Sequence, residues 1–485
     1  MATAAPGPDL EAFQLLRAGR YGEALTFAQA AVAGKTRCVP AHAMLATILL
    51  ALGQRGDAEQ VVDQALALGR GDAGAYDGLA YVSMRLGKPE QASTLYRHAT
   101  EIAPSEPRFW YNFASAERSL GRLQEAQDAC NRAIRLDPTQ YPSYLLRSEL
   151  RLQTADANHV DELRRLLSSA GDTARMFLGY ALAKELDDLG EYKEAFDWYA
   201  KAAAARRRRL AYDVSIDEQK MRRIEEAFPI ASPGEGRLGA EAAAFIFIVG
   251  LPRSGTTLLE RLLTGLPQVV SNGETDNFSR ALLGATPAGP QDVFTRAATA
   301  DSAAVAQAYS RYAAGRSGAS VVEKLPMNYL YLGAIHRALP DAALLIMTRS
   351  PLDSCFAMFR TLFGDAYPFS YDVDDLARYY AAYARLIAHW KRTLGDALYE
   401  VRYDDLVDQP GRLGAAAAAH CGLAWCDDAV DIQKNRSASY TASAAQIRRP
   451  IYTTSRDRWR HYEACLSPMI QALRRHGVEA PTDAV

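Results

Sequence analysis

The apolar positions change rhythm once along the chain. Through the first half they recur at helical spacing, and the whole pattern repeats every 34 residues. Gly19, Gly53, Gly87 and Gly121 mark the repeat, and Ala24, Ala58, Ala92 and Ala126 follow five residues behind them. One helical turn later come Ala28, Val62, Tyr96 and Cys130, and Pro104 and Pro138 close two of the blocks. This is the signature of helix–turn–helix units. Glycine ends one helix in a left-handed cap, and alanine lets the two helices of a pair approach closely. A single pair cannot bury its apolar face, so each stacks on the next. Gly190 and Ala195 resume the pattern after a gap of 69 residues, and Tyr144 to Ala170 keeps helical spacing without the glycine.

Beyond Phe228 the rhythm differs. Pro229, Pro233, Gly234 and Gly236 punctuate a linker. Apolar runs at Phe245–Val249, Ser320–Val322, Ala343–Met347 and Tyr399–Val401 then alternate with helical segments. Strands alternating with helices predict a parallel α/β sheet, with ligands outside the carboxyl ends of its strands. The expected layout is a tail over 1–8, a helical array over 9–230, a linker over 231–242 and an α/β domain over 243–485.

The first strand leads into the best-defined motif. Gly250 and Gly255 bracket a short loop, and Thr256 and Thr257 open an apolar-periodic helix. This spacing is that of a phosphate-binding loop, which points backbone N–H groups and a helix N-terminus at an anion. The lysine that reaches the β- and γ-phosphates of a nucleoside triphosphate is replaced by Thr256, and the cation sits within the loop as Arg253. The loop therefore suits an anion on a nucleotide, but not ATP or GTP with magnesium.

Composition narrows the classes. A formal net charge of -2 over 485 residues gives no reason to expect nucleic acid or an acidic membrane as partner. No apolar run approaches the length of a membrane span, and no signal-peptide pattern opens the chain, so a cytoplasmic protein is expected. The six cysteines are scattered without a C-x-x-C pair, as reduced thiols are. Arg206 to Arg209 form a four-arginine run that reads as a solvated helix face.

Residues 9–200 resemble tetratricopeptide repeats, which implies a solenoid able to hold a peptide or protein. Residues 244–462 resemble sulfotransferases that use 3′-phosphoadenosine 5′-phosphosulfate (PAPS), and among them the tyrosylprotein sulfotransferases are most similar. Pro252-Arg253-Ser254-Gly255-Thr256-Thr257 carries the likeness as the 5′-phosphosulfate loop. Glu274 follows Arg253 by 21 residues, the family's distance from loop arginine to catalytic base. The resemblance further implies that Lys324, in Glu323-Lys324-Leu325-Pro326, stabilises the leaving oxygen. Arg349 becomes a ligand of the 3′-phosphate, and Tyr403 lies near the cofactor. Ser443 sits near the transferred group, with Gln446 nearby in the cofactor-binding set, and Arg458 stands where the family has a cofactor-binding lysine. The family's serine eight residues beyond the Arg349 position is Ala357 here, and Ser354, one turn earlier, is its expected substitute.

The resemblance thus implies a metal-independent sulfuryl transfer to a hydroxyl, with a tyrosine in a peptide or protein as the first expectation. A carbohydrate, lipid or small phenol is the alternative acceptor. From another class, a repeat scaffold with an inactive nucleotide-binding domain competes, but Arg253, Glu274 and Lys324 together argue for an enzyme. A P-loop kinase is disfavoured by the missing loop lysine and by Arg349 where a magnesium-binding aspartate often stands.

Overall fold

The computed structural model describes residues 8–34, 38–69, 71–230, 244–286, 292–313, 319–435, 451 and 456–480. The chain divides into two compact units, Met1–Leu150 and Arg151–Val485.

The first unit is a helical array. Its described helices run in antiparallel pairs, Val39–Ala51 with Arg55–Ala67, Ala73–Arg85 with Pro89–Ile102, and Pro107–Leu120 with Leu123–Leu136. Each marker glycine takes the left-handed conformation between the helices of a pair, with φ of +72° to +83° from Gly19 through Gly121. The marker alanines Ala24, Ala58, Ala92 and Ala126 have no exposed surface. They belong to one core that extends from Ala12 to Leu150. Where the sequence loses its glycine the regular pairing ends. Tyr141–Glu149 and Val160–Leu167 are short helices separated by an isolated Thr154–Ala157 bridge.

The second unit holds a parallel sheet of five strands in the order β2-β3-β1-β4-β5. The strands are β1 (Ala244–Gly250), β2 (Val269–Gly273), β3 (Ser320–Lys324), β4 (Ala343–Thr348) and β5 (Leu398–Arg402). Four were expected; β2 was not, because Val-Val-Ser-Asn-Gly is short and half polar, with only Val269 buried. Sequence order reverses at the centre, where β1 pairs with β3 on one side and β4 on the other. All five carboxyl ends share one edge. On one face Ile246, Ile248, Val322, Leu345, Met347 and Val401 pack with Leu259, Leu262 and Leu263 of the Thr256–Leu263 helix. On the opposite face Phe247 meets Phe278 and Tyr309.

The division of the chain differs from the expected one. The helices Asp172–Asp188, Tyr192–Arg207 and Val214–Ala227 fall in the unit that contains the sheet, not in the repeat array. Charge and hydrogen bonding explain it. Arg378 clasps Glu218 through two bonds of 2.9 and 2.8 Å, Arg385 reaches Glu225, and the Tyr180 hydroxyl donates to the Phe359 carbonyl at 3.0 Å. The arginine run is also less free than its composition suggests. Arg206 donates to the Gly364 carbonyl and to Asp365, Arg207 to Asp375, and Arg208 to Asp172. The expected linker, 231–242, lies outside the described residues, as does most of the 1–8 tail.

Candidate active site

The loop after β1 is shaped by close approach. Gly250 has φ +149°, and a Cβ there would lie 2.5 Å from the Met347 carbonyl oxygen. Gly255 has φ +102°, and a Cβ there would strike the Tyr403 ring at 2.4 Å. Between them Arg253 adopts φ +66°, a left-handed conformation that costs a non-glycine residue about 1–2 kcal/mol. Such strain persists where the surroundings over-determine it, commonly at functional sites. Thr256 and Thr257 are nearly buried at the helix N-terminus. The Ser254 hydroxyl is 1% exposed and has no hydrogen-bond partner among the described residues. A buried unpaired hydroxyl beside a helix N-terminus, in a cradle that a methyl group would fill, fits a phosphate or phosphosulfate group.

At the neighbouring strand end lies a charged triad. Lys324 ends β3 with no exposed surface, and its Nζ donates to the Glu274 carboxylate. Glu260, on the loop helix, approaches the same Nζ at 3.8 Å. Glu260 also accepts from the Ser271 hydroxyl, whose oxygen in turn accepts from the Gly273 N–H at 2.8 Å. Gly273, at φ +68°, turns the chain out of β2 so that Glu274 follows directly. The loop helix therefore aligns the carboxylate of a different segment. Glu274 keeps 37% of its side chain exposed, while the Lys324 side chain is 1% exposed. The pair has a buried cation and a partly exposed carboxylate.

Glu323, the neighbour of Lys324, points to the other face. It accepts from the Tyr309 hydroxyl at 2.9 Å and from Asn328 at 3.2 Å, and also from the Phe278 N–H and the Asn277 side chain. Burial pushes its carboxyl up to about 7, against these hydrogen bonds. The bonds to Asn277 and Phe278 tether the helix that starts three residues after Glu274. Sequence reading missed Glu260, Ser271 and Glu323. The signal for Glu260 was a lone acid in Leu258-Leu259-Glu260-Arg261-Leu262-Leu263, at a position too apolar for a solvated face.

At the end of β4 the Arg349 guanidinium lies 4.7 Å from the centre of the Tyr403 ring and 3.4 Å from Asp353. Tyr403 thus joins Gly255 to Arg349, and the loop and the second cationic position form one surface. Ser354 is buried, and its hydroxyl donates to the Arg349 carbonyl at 3.4 Å. Arg458 follows Asp457, whose backbone N–H bonds the Asp353 carboxylate beside Arg349. Its own guanidinium pairs at 2.5 Å with Asp187, which also receives Arg360 at 3.0 Å and the Tyr462 hydroxyl. Burial would raise the Asp187 carboxyl, but the Arg360 and Arg458 guanidinium groups hold it below the usual carboxylate range. The structure thus brings Arg253, Ser254, Gly255, Thr256, Thr257, Glu274, Lys324, Arg349 and Tyr403 to the carboxyl edge of the sheet. Ser443 and Gln446 lie outside the described residues.

Comparison with known proteins bears on the two parts of the chain separately. Residues 245–427 match the model of the sulfotransferase family, and residues 15–82 and 78–141 match two tetratricopeptide-repeat models. An uncharacterized protein of Aquifex aeolicus (strain VF5) is 25% identical over 412 residues, covering 81% of this chain and 54% of its own length. The TPR repeat-containing thioredoxin TTL4 of Arabidopsis thaliana is 31% identical over 120 residues, 24% of this chain and 17% of its own. The chain thus spans about half the length of the first relative and a smaller part of the second. Among solved structures, the sulfotransferase domain of the Synechococcus PCC 7002 olefin synthase is 19% identical, covers 52% of this chain and 100% of its own, and has a TM-score of 0.37. The sulfotransferase domain from the curacin biosynthetic pathway is 15% identical, covers 50% and 100%, and scores 0.36. YrrB, a TPR protein with an unusual peptide-binding site, is 16% identical, covers 38% and 87%, and scores 0.27. The chain carries tetratricopeptide repeats followed by a sulfotransferase-family domain.

Proposed function

We propose that the second unit transfers a sulfuryl group from PAPS to an acceptor hydroxyl, with a tyrosine of a peptide or protein as the acceptor. The observation that carries this reading is the Lys324–Glu274 pair, a buried ammonium on a partly exposed carboxylate at the edge that also bears the anion-cradling loop. When bound, PAPS supplies the sulfuryl group, the sulfur–oxygen bond to its 5′-phosphate breaking as the acceptor oxygen bonds to sulfur.

The chain's own residues would do the rest. The loop amides, the Ser254 hydroxyl, Thr256 and Thr257 would hold the 5′-phosphate, and Arg349 with Tyr403 would hold the 3′ end of the nucleotide. Glu274 takes the acceptor's proton on a carboxylate oxygen. Protonation removes its charge, and Lys324 is then free to face the oxygen on which negative charge collects. Glu260, 3.8 Å from Lys324, remains as counter-ion, so the ammonium stays placed through the change. Arg253 adds a second cation from the loop. The tetratricopeptide repeats would serve the protein that carries the acceptor, as solenoids of this kind hold peptides.

The test is Glu274→Ala, with transfer followed by mass shift of an acidic tyrosine peptide and nucleotide binding by calorimetry. Turnover should fall by about 10²–10⁴-fold, the usual contribution of a general base, while affinity for 3′-phosphoadenosine 5′-phosphate stays within about threefold. Full activity in the variant would remove Glu274 from the mechanism.

A further inference from the structure

Sulfuryl transfer makes no use of a cleft at the β5 edge of the sheet. The cleft has a volume of about 400 Å³ and is walled by β5, the end of β4 and the Val373–Leu394 helix. Side chains alternate across a strand. Met347 and Val401 pack with the Thr256–Leu263 helix, so Thr348, Glu400 and Arg402, their neighbours in sequence, face the other way and line the cleft. The cleft thus lies across the sheet from the loop helix. It meets the nucleotide site at the end of β4, where Arg349 lines the cleft while its guanidinium lies on Tyr403.

The helix supplies a wall with a consistent chemistry. Tyr380, Tyr383, Ala384, Ile387, Ala388 and Lys391 fall on one face, at spacings of three and four residues. Tyr380 and Tyr383 are 7% and 5% exposed. Neither hydroxyl has a hydrogen-bond partner among the described residues. Burial raises both hydroxyls above their ordinary range, and the Glu400 charge raises that of Tyr383 further, so both stay protonated and able to donate. A nearly buried donor without a partner calls for an acceptor. The cleft's own carboxylate is already occupied, since Glu400 accepts from the Thr348 hydroxyl at 2.7 Å and from Lys391 at 2.6 Å. Arg402 is 64% exposed and meets Asp405 at 3.7 Å, a solvated pair of little strength. What the cleft offers is two phenol donors and positive charge beside an apolar wall.

We infer that this cleft binds a small organic anion, an apolar body that carries a carboxylate, sulfate or phosphate-ester head. The head accepts from Tyr380 and Tyr383 and pairs with Arg402, and the body lies along Ala384, Ile387 and Ala388. Hydrogen bonds to an ionised head are roughly twice as strong as neutral ones, so a neutral molecule of the same shape binds poorly. The volume is at the small end for ligand pockets and suits one ring or a short chain. The site is separate from that of the donor and does not depend on the chain's using PAPS.

The test titrates the full chain, saturated with 3′-phosphoadenosine 5′-phosphate, with phenyl sulfate, phenyl phosphate and benzoate, and with benzyl alcohol as the neutral control. Calorimetry should give a Kd below about 1 mM for at least one anion and no saturation by the alcohol; the tightest anion identifies the head. Ala388→Phe fills the cleft from an exposed position and should weaken that anion by more than about tenfold. Tyr380→Phe combined with Tyr383→Phe should weaken it by about tenfold yet leave the thermal midpoint unchanged, because the hydroxyls removed have no partner to lose. The inference is overturned if no anion binds below about 1 mM, if benzyl alcohol binds as tightly, if A388F binds like the wild type, or if the anions bind the chain only without the nucleotide. A chain that fails to bind 3′-phosphoadenosine 5′-phosphate tells against the donor reading alone; the anions are then titrated by themselves, and the same variants decide this site.

Discussion

Left-handed glycines serve opposite purposes in the two units. In the repeat array Gly19 and Gly87 face open space, with nothing within 4 Å of a Cβ built on them. They are there because the backbone must reverse. In the α/β unit Gly250 and Gly255 face the Met347 carbonyl and the Tyr403 ring, at 2.5 and 2.4 Å. They are there because a side chain would fill the place a ligand or a neighbour needs. The array uses glycine to stop helices, whereas the site uses it to bring a loop, a tyrosine and an arginine together.

The largest effect should come from the buried cation. Lys324→Met removes the ammonium that Glu274 and Glu260 share, and sulfuryl transfer should fall by about 10²–10³-fold, the scale for losing a preorganised charge stabiliser. Steady-state rates on a tyrosine peptide check this, and a loss under about fivefold would contradict a role for Lys324 at the reacting oxygens. The paired glycines give the next test. Gly255→Ala adds a clash to a left-handed backbone and should cost more than about 3 kcal/mol, abolishing nucleotide binding. Gly87→Ala should cost about 1–2 kcal/mol through backbone alone and leave binding untouched. Thermal melts and calorimetry on both variants decide it, and equal costs would erase the contrast drawn above.

The smallest effect concerns pH. Glu323 is held near 7 in the folded chain by burial, against an ordinary value of 4.5, so between these values the folded state carries a proton that the unfolded state has lost. Its contribution to stability is greatest below the unfolded value and declines as pH rises towards 7. In Glu323→Gln that decline should vanish, which a comparison of thermal midpoints between pH 5 and 7.5 would reveal as a shallower slope.

The array was legible because its information is local and repeated: Gly87 and Ala92 say the same thing as Gly121 and Ala126. The sheet was nearly as legible, since four of its strands are apolar runs; β2 escaped because Ser271 and Asn272 give it the look of a loop. The loop with Arg253, and Glu274 and Lys324, could be found by motif and spacing. What no spacing reveals is a partner chosen by packing. Glu260 reads as one acid in a helix until the helix is laid against β3. The arginine run misled for the same reason, as its acids lie up to 168 residues away, at Asp375.

Asp187 has a bearing on how this protein can be taken apart. It lies on the Asp172–Asp188 helix, ahead of the sheet, yet it gathers Arg360, Arg458 and Tyr462 from far downstream. Excision at residue 243 would keep every strand and discard that carboxylate, stranding two guanidinium groups in a largely buried pocket. The severable module begins near Arg151, so in a recombination or domain-grafting experiment the four helices before the sheet travel with the enzyme rather than with the repeats.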